Sequence, residues 1–233
     1  MLYEFNFLNT YVGRPETDLA RQAAMSALGN GLYAAGQNKD ALSVLEARLS
    51  TMTRLGAPLE NRLSVQSNIA NTYRRLGRDE ETIGVLRDVY SGYSRHLGEE
   101  NGHALMAATN YAITLVEMQH FKEAKPLMRK TIPVVRRVFG ENHEVTLRMR
   151  WTYAKALYAS PGATLDDMRE AVATLAETER ISRRVLGGTH PNVRLMVEFL
   201  RTARAKLRAR QEAAPRDVSG IRKAVEAMTM GDA

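Results

Sequence analysis

Residues 97–143 read LGEENGHALMAATNYAITLVEMQHFKEAKPLMRKTIPVVRRVFGENH, and this stretch decides the fold. It opens and closes with near-copies of one turn, LGEEN at 97–101 and FGENH at 139–143. Between the two turns, apolar residues recur at three- and four-residue steps in two blocks, which is the spacing of an amphipathic helix. A hairpin of two such helices cannot bury both of its apolar sides alone, so neighbouring copies of the unit are expected along the chain.

Copies of the turn are visible along most of the chain. A hydrophobic residue followed by glycine recurs at 12–13, 55–56, 97–98, 139–140 and 186–187. The glycines are 43, 42, 42 and 47 residues apart, and the last interval is the longest because SPGAT at 160–164 lengthens a turn. Small residues keep the same register at Ala70, Ala112 and Ala154, and at Ala41, Thr82, Ala124 and Ala171. The pattern predicts an all-α solenoid of antiparallel helix hairpins.

The repeat divides the chain into three predicted parts. A partial N-terminal repeat helix is expected at 1–16, an array of four hairpins plus a capping helix at 17–212, and a tail with a short helix at 213–233. Helices of the array are expected at 17–35, 38–54, 60–76, 79–96, 143–159, 165–185 and 191–212, with two more inside 97–143. Such an array is expected to form one elongated domain with a continuous core.

Five positions carry specific expectations about the backbone. Gly36 and Gly77 fall where the first helix of a hairpin ends, a place that favours positive φ. The third hairpin has Gln119 at this place, so its turn should be harder to build. Pro133 lies deep inside a predicted helix and is expected to kink it. Asp79 is expected to cap the N-terminus of the helix that it begins.

The composition favours an acidic partner and a reducing compartment. The formal net charge of the 233 residues is +7, which attracts acidic peptides, nucleic acid or anionic lipid. The chain has no cysteine, so disulfides and thiolate metal sites are excluded. No apolar run approaches the roughly 20 residues of a membrane helix, and the first residues do not resemble a signal peptide. We therefore expect a cytoplasmic protein without membrane insertion.

The sequence contains no motif of a catalytic or cofactor-binding site. A phosphate-binding loop, a GxSxG elbow and an HExxH helix are all missing. The five histidines do not pair at helical metal-ligand spacing, and His143 and His190 occupy the same turn position in two repeats, which favours a structural role. We therefore expect a protein that is not an enzyme and has no cofactor or bound metal.

Four segments together carry a resemblance to a known family. They are NIANTYRRLGR at 68–78, FKEAKPL at 121–127, FGENH at 139–143 and LGGTHP at 186–191. They resemble tetratricopeptide repeats of the kinesin light chain type, whose unit is near 42 residues and ends in a leucine-glycine-x-x-histidine-proline turn. The histidine is missing after Gly13, Gly56 and Gly98, so the turn departs from the family pattern there.

The resemblance implies a fold and a class of function. Such arrays form a right-handed superhelix whose first helices line a concave groove, and in this family the groove binds peptides, including acidic segments around a tryptophan in motor cargo adaptors. The same repeat type also follows the nucleotide-binding domain of signalling ATPases of the apoptotic class, where it is a sensor. The resemblance therefore implies a protein or peptide partner, within a motor or a signalling complex.

The register places a set of polar residues on the first helices, opposite their apolar backs. The whole set is Ser26, Asn30 and Tyr33; Ser67, Asn68, Asn71, Arg74 and Arg75; Thr109, Asn110, Ile113 and Val116; and Arg148, Trp151, Thr152, Lys155 and Tyr158. Asparagine amides can donate to and accept from an extended peptide backbone, and arginine binds carboxylates in a bidentate fashion. The predicted peptide-binding residues are Asn30, Asn68, Asn71, Arg74, Arg75, Asn110, Arg148, Trp151 and Lys155.

Two other interpretations stay open at this point. Small polar residues on the first helices also suit contacts with neighbouring helices, and Trp151 also suits packing between repeats. The second alternative is a nucleic-acid-binding helical protein, which is suggested by a run of basic residues near the C-terminus at Arg183, Arg184, Arg201, Arg204, Lys206, Arg208 and Arg210. These cations spread around the helix and are not interleaved with aromatic residues, which disfavours nucleic acid.

Overall fold

A computed structural model describes residues 13–213. Within that range the chain is all-α, and its helices follow one another in antiparallel hairpins joined by short turns. The helices are α1 Leu19–Ala34, α2 Asn38–Arg54, α3 Leu59–Arg75, α4 Asp79–Leu97, α5 Gly102–Glu117, α6 Phe121–Phe139, α7 Glu144–Ala159, α8 Leu165–Leu186 and α9 Pro191–Ala213. The seven array helices that were predicted with explicit limits each begin and end within two residues of the observed helix.

The chain divides into two compact units, one ending at Ala156 and the other beginning at Leu157. In the first unit each helix from α1 to α5 packs against the next one in the chain. In the second unit α8 packs against α9. The two helices of a hairpin therefore pack against each other. In the first unit, the second helix of a hairpin also packs against the first helix of the following hairpin.

The core is built from the residues that repeat in register. All six of the repeating alanines, and Thr82 with them, are at most 1% exposed, so the helices approach closely at these positions. Larger apolar side chains fill the space between the helices, and two clusters of buried residues lie between successive helices of the first unit. The first cluster contains Leu42, Leu45, Met52, Val65 and Ile69. The second contains Leu63, Val89, Tyr93, Ala104 and Ala107. Burial of each large side chain stabilises the fold by about 1.5–3 kcal/mol.

Two kinds of turn residue have positive φ. Gly36 and Gly77 end the first helix of their hairpins with φ of +77° and +72°, as predicted. Gln119 has the same role with φ of +63°, and it is the one non-glycine residue with positive φ among residues 13–213. Glycines that end the second helices, such as Gly98 and Gly140, combine φ near +90° with ψ of 155° and 165°, a region that is open to glycine alone.

The residue three places after these glycines caps the next helix. The Asn101 side chain accepts a hydrogen bond from the backbone N–H of His103 at 2.8 Å. His143 Nδ1 accepts one from the N–H of Val145, and His190 Nδ1 accepts one from the N–H of Asn192, both at 3.2 Å. The structural role that was predicted for the two histidines is therefore confirmed.

Three local expectations have other outcomes. Asp79 is the first residue of α4, and the residue before it, Arg78, occupies the cap without a side-chain hydrogen bond, so the predicted capping role was wrong. Helix α6 runs without a break through Pro126 and Pro133, and the kink at Pro133 stays a prediction. Of the partial helix predicted at 1–16, residues 13–16 are not helical and the rest lies outside the described residues. The short helix predicted within the tail also lies outside them.

Candidate functional site

The first helices of the four hairpins, α1, α3, α5 and α7, carry all of the predicted peptide-binding residues. Each of these residues is exposed or half-buried. Asn30 lies on α1, Asn110 lies on α5, and the others form two groups: Asn68, Asn71, Arg74 and Arg75 on α3, and Arg148, Trp151 and Lys155 on α7. The nine predicted peptide-binding residues are thus accessible to a ligand.

The asparagines offer amides that the fold does not use. Asn30 and Asn110 are exposed, and Asn68 and Asn71 are half-buried. Within residues 13–213, none of their four side chains makes a hydrogen bond to another side chain or to the backbone. Each amide has two N–H donors and an oxygen with two lone pairs, so these side chains can pair with an incoming peptide backbone.

The two arginines at the end of α3 connect it to the first helices on either side. Arg74 Nη1 lies 3.1 Å from Glu117 Oε2 at the end of α5. Arg75 Nη1 donates to the carbonyl oxygen of Tyr33 at 2.8 Å, and its guanidinium lies 3.8 Å from the centre of the Tyr33 ring on α1. The C-terminal ends of α1, α3 and α5 therefore lie side by side and present a cation, a carboxylate and an aromatic ring.

These contacts leave the arginine of the ion pair available to a ligand. The Arg74 and Glu117 side chains are 40% and 46% exposed, and an exposed ion pair contributes only about 0–1 kcal/mol. A partner carboxylate can therefore replace Glu117 at little cost. Arg75 is held more firmly, because a hydrogen bond and a cation–π contact act on the same guanidinium.

Helix α7 contributes a second cationic segment. Arg148 and Trp151 are half-buried, and neither makes a hydrogen bond or ion pair with another residue of the described range. Lys155 is also half-buried but already has an interaction partner within the protein. Arg148 is thus the α7 cation that remains available.

Four residues of the wider predicted set do not face solvent. Thr109, Val116, Thr152 and Tyr158 are 2–6% exposed. The first helices have a wider apolar side than one stripe, since α3 and α5 each pack against the helix before and the helix after them. Burial raises the pKa of Tyr158 to about 12, and Lys206 covers this residue by donating to its carbonyl oxygen at 3.4 Å. These positions belong to the core.

The sequence reasoning missed a repeated link between hairpins. Arg87 Nε on α4 donates to the hydroxyl of Tyr111 on α5 at 3.1 Å, and Arg129 Nε on α6 donates to the hydroxyl of Tyr153 on α7 at 2.8 Å. Both residues of the second pair follow those of the first by one 42-residue period, which was the signal available in the sequence. Burial, and then a hydrogen bond to Glu123, raise the pKa of Tyr111. The pairs join successive hairpins.

Sites of other kinds are not found in the part of the chain that the structure describes. No group of three or more histidine, aspartate and glutamate side chains there is arranged to hold a metal ion. No helix there combines the length and the apolar composition needed to cross a membrane.

Comparison with known proteins identifies the repeats. Residues 62–103 and 104–144 match the tetratricopeptide repeat model, and the two matches begin within α3 and α5 and together extend to the start of α7. Comparison with curated proteins finds no match.

Solved structures of low sequence identity share the fold. One variant of a candidate kinesin light chain from Podosopora anserina, with nearly identical TPR-like repeats, has 21% identity and a TM-score of 0.68 over 91% of this chain and 97% of its own. A second structure of that description has 21% identity and a TM-score of 0.66 over 94% and 99%. BtubC (BKLC) from P. vanneervenii has 15% identity and a TM-score of 0.60 over 93% and 92%.

A fourth structure of similar fold is that of a protein in complex with another molecule. The Rap protein complexed with Competence and Sporulation Factor has 14% identity and a TM-score of 0.56, over 89% of this chain and 58% of that protein. The matched repeats and the helix hairpins agree: residues 62–144 form two tetratricopeptide repeats, and the chain is similar in fold to the repeats of candidate kinesin light chains.

Proposed function

We propose that the chain is a non-enzymatic scaffold that binds an extended, acidic segment of a partner protein along α1, α3, α5 and α7. One observation carries the proposal, which is that the amides of Asn30, Asn68, Asn71 and Asn110 are accessible and unused by the fold within residues 13–213. Polar side chains that serve only to join helices would be bonded to their neighbours. The alternative in which these residues satisfy adjacent helices is therefore disfavoured.

The chemistry of the surface favours an extended and acidic ligand. An extended peptide presents a backbone N–H or C=O at each residue, and an asparagine amide can pair with both. Arg74 and Arg148 add cations on the same set of helices, and each charge-assisted hydrogen bond to a ligand carboxylate contributes about 1.5–3 kcal/mol. The net charge of +7 attracts the same class of ligand over longer distances.

The family and the solved neighbours support this class of function. Tetratricopeptide repeats usually form protein–protein interaction scaffolds, and the neighbours include candidate kinesin light chains. A protein of similar fold has been captured in complex with Competence and Sporulation Factor. We propose recognition of a cargo or adaptor segment, in the manner of a kinesin light chain, and a cytoplasmic location in keeping with the absence of cysteine.

The experiment is selection from a random peptide library on the full chain, followed by titration of the enriched peptide by fluorescence anisotropy. The test variant carries Asn68→Ala with Asn110→Ala, which removes two accessible amides from successive hairpins. The matched control carries Ser43→Ala with Ser50→Ala, which removes two exposed hydroxyls from the second helix α2.

We expect an acidic motif whose affinity falls at least tenfold in the asparagine variant and less than twofold in the serine variant. Enrichment without acidic residues would disprove the charge argument. Affinity that is indifferent to the two asparagines would show that binding takes place elsewhere.

A further inference from the structure

Helix α9 carries a shallow trough outside the surface described above. The trough has a volume of about 300 Å³, and the residues of 13–213 that line it lie on one side of α9: Val197, Leu200, Arg201, Arg204, Ala205 and Arg208. Val193, Met196 and Ala203, which are at most 1% exposed, turn away from solvent into the packed side of the helix. The trough is therefore a second face of α9, beside the face that packs inward.

The arginines of the trough have no counter-charge in the part of the chain that is described. Arg201, Arg204 and Arg208 are exposed, and none of them makes an ion pair, a hydrogen bond or a ring contact within residues 13–213. Arginines of the other unit commonly do, as in the pairs Arg54–Glu16 at 2.6 Å and Arg74–Glu117 at 3.1 Å. Three like charges at three- and four-residue spacing repel one another along a helix, so packing and helix formation do not explain them.

The floor of the trough is apolar. Val197 is 42% exposed, although water is an unfavourable environment for its side chain, and Ala205 is exposed beside it. Leu200, which is 8% exposed, lies beneath them in the lining. A ligand that bound only through the positive charge of the arginines would gain no binding energy from this apolar strip. The combination requires a ligand with an apolar side between or beside its acidic groups.

We propose that the trough of α9 binds an acidic amphipathic helix of a partner protein. Apolar side chains of that helix would lie on Val197 and Ala205, and its carboxylates would pair with Arg201, Arg204 and Arg208. Because a helix places carboxylates at three- and four-residue steps on one face, its charges repeat at the same spacing as the three arginines. The trough shares no residue with the proposed peptide-binding surface. The two proposed ligands also differ, since the trough would bind a helix and the peptide-binding surface would bind an extended segment.

Charge argues against the chain's own C-terminal residues as the occupant. Residues 214–233 contain three acidic and three basic side chains: Asp217, Glu226 and Asp232, and Arg216, Arg222 and Lys223. A segment with balanced charges provides no excess of carboxylates for three unpaired arginines. The balance therefore favours a separate, acidic partner.

The test is a fluorescence anisotropy titration of the full chain with a labelled synthetic helix. The probe has glutamates at three- and four-residue steps beside a leucine stripe, and a scrambled peptide of the same composition is the peptide control. The test variant is Arg204→Gln with Arg208→Gln, and the matched control is Arg180→Gln with Arg210→Gln, two exposed arginines outside the trough. A third variant, Ala205→Glu, places a carboxylate in the trough without removing an arginine.

We expect the trough double variant to bind the probe at least tenfold more weakly, since one charge-assisted hydrogen bond corresponds to roughly a tenfold change. Ala205→Glu should act in the same direction, the control double variant should change affinity less than twofold, and the scrambled peptide should bind at least tenfold more weakly than the probe. Asn68→Ala with Asn110→Ala should leave binding of the probe unchanged, so the trough and the extended-peptide surface can fail separately.

Several results would overturn the proposal. Equal weakening by both double variants, or equal binding of the scrambled peptide, would mean that only net charge matters. Tighter binding of a single-stranded oligonucleotide, unaffected by Val197→Ser, would identify a nucleic-acid surface. Displacement of the probe by a synthetic 214–233 peptide would identify the chain's own tail as the occupant, and concentration-dependent self-association that Arg204→Gln with Arg208→Gln abolishes would identify a second copy.

Discussion

At the scale of single residues, backbone conformation explains the glycines that mark the repeat. Gly140 has φ of 89° and ψ of 165°, and a Cβ at this position would meet no atom within 4 Å, so any cost of a side chain comes from the backbone alone. We predict that Gly140→Ala lowers the free energy of unfolding by about 1–3 kcal/mol. The measurement is urea denaturation followed by circular dichroism.

Gly84 supplies the matched control for Gly140. It lies inside α4 with ordinary helical φ, and a Cβ there would also meet nothing within 4 Å. Gly84→Ala should raise the free energy of unfolding by about 0.5–1 kcal/mol, because alanine loses less conformational entropy in a helix. Destabilisation of similar size in both variants would contradict the account.

Gln119 occupies the position that is equivalent to Gly36 and Gly77, and here a change to glycine is expected to stabilise the protein. A left-handed conformation costs an ordinary L-residue about 1–2 kcal/mol, and Gln119 adopts it with φ of +63°. Gln119→Gly should therefore stabilise the protein by about 1 kcal/mol in the same denaturation assay, after the larger entropy of glycine in the unfolded chain is subtracted. An unchanged or lower stability would mean that the glutamine side chain makes a compensating contact.

Glu117 controls access to Arg74 if the proposed peptide surface is correct. Glu117→Gln removes the carboxylate that lies 3.1 Å from the guanidinium, so a ligand carboxylate no longer competes with it. We predict that an acidic peptide binds this variant about threefold to tenfold more tightly, because an exposed ion pair is worth about 0–1 kcal/mol and repulsion between carboxylates is removed as well. A neutral peptide of the same length should bind both proteins equally, and weaker binding of the acidic peptide would contradict the prediction.

At the scale of helices, the link between hairpins can be measured directly. Arg129 on α6 donates to the buried hydroxyl of Tyr153 on α7 at 2.8 Å. A double-mutant cycle of Arg129→Met and Tyr153→Phe should give a coupling energy of about 0.5–1.5 kcal/mol, the usual net value of such a hydrogen bond. The control cycle pairs Arg129→Met with Tyr93→Phe, whose hydroxyl donates to the Glu60 carbonyl on α3, and its coupling should be near zero.

The helices were predictable because their causes are local. The 42-residue register, the turn glycines and the period of apolar residues fix where each helix begins and ends, and Gln119 could be recognised because positive φ belongs to the position and not to the residue type. Asp79 and the buried residues Thr109, Val116, Thr152 and Tyr158 were not predictable in the same way. Asp79 is exposed and misses the cap by one residue, because the helix begins at Asp79 itself. The environments of the four buried residues depend on which neighbouring helices cover them, and a helix that packs on two sides hides more of its surface than a single stripe indicates.

The candidate site was predictable to a similar depth. The register alone placed Asn68 and Asn110 at accessible positions, since equivalent residues of a repeat face the same way. The pairing of Arg74 with Glu117 and of Arg75 with Tyr33 was not visible in the sequence, because these contacts join helices that are about one repeat apart. The accessible positions of the amides thus follow from the repeat, whereas the contacts of the arginines depend on how the helices pack.

At the scale of the whole molecule, net charge and the accessible arginines act on any acidic partner before contact is made. The charge of +7 attracts such a partner over roughly 10 Å in 0.1 M salt, and this attraction accelerates encounter more than it slows dissociation. We predict that raising the salt concentration from about 0.05 M to about 0.5 M weakens binding of an acidic peptide at least tenfold, with most of the change in the association rate. Stopped-flow fluorescence measures both rates on the same peptide.

A peptide with glutamine in place of each glutamate is the control for that experiment, and its rates should change less than twofold over the same range of salt. If the dissociation rate instead carries most of the change, the charged contacts form only in the final complex. Binding would then depend on individual pairs, such as Arg74 with a ligand carboxylate. The net positive charge spread over the rest of the chain would not help to capture the partner.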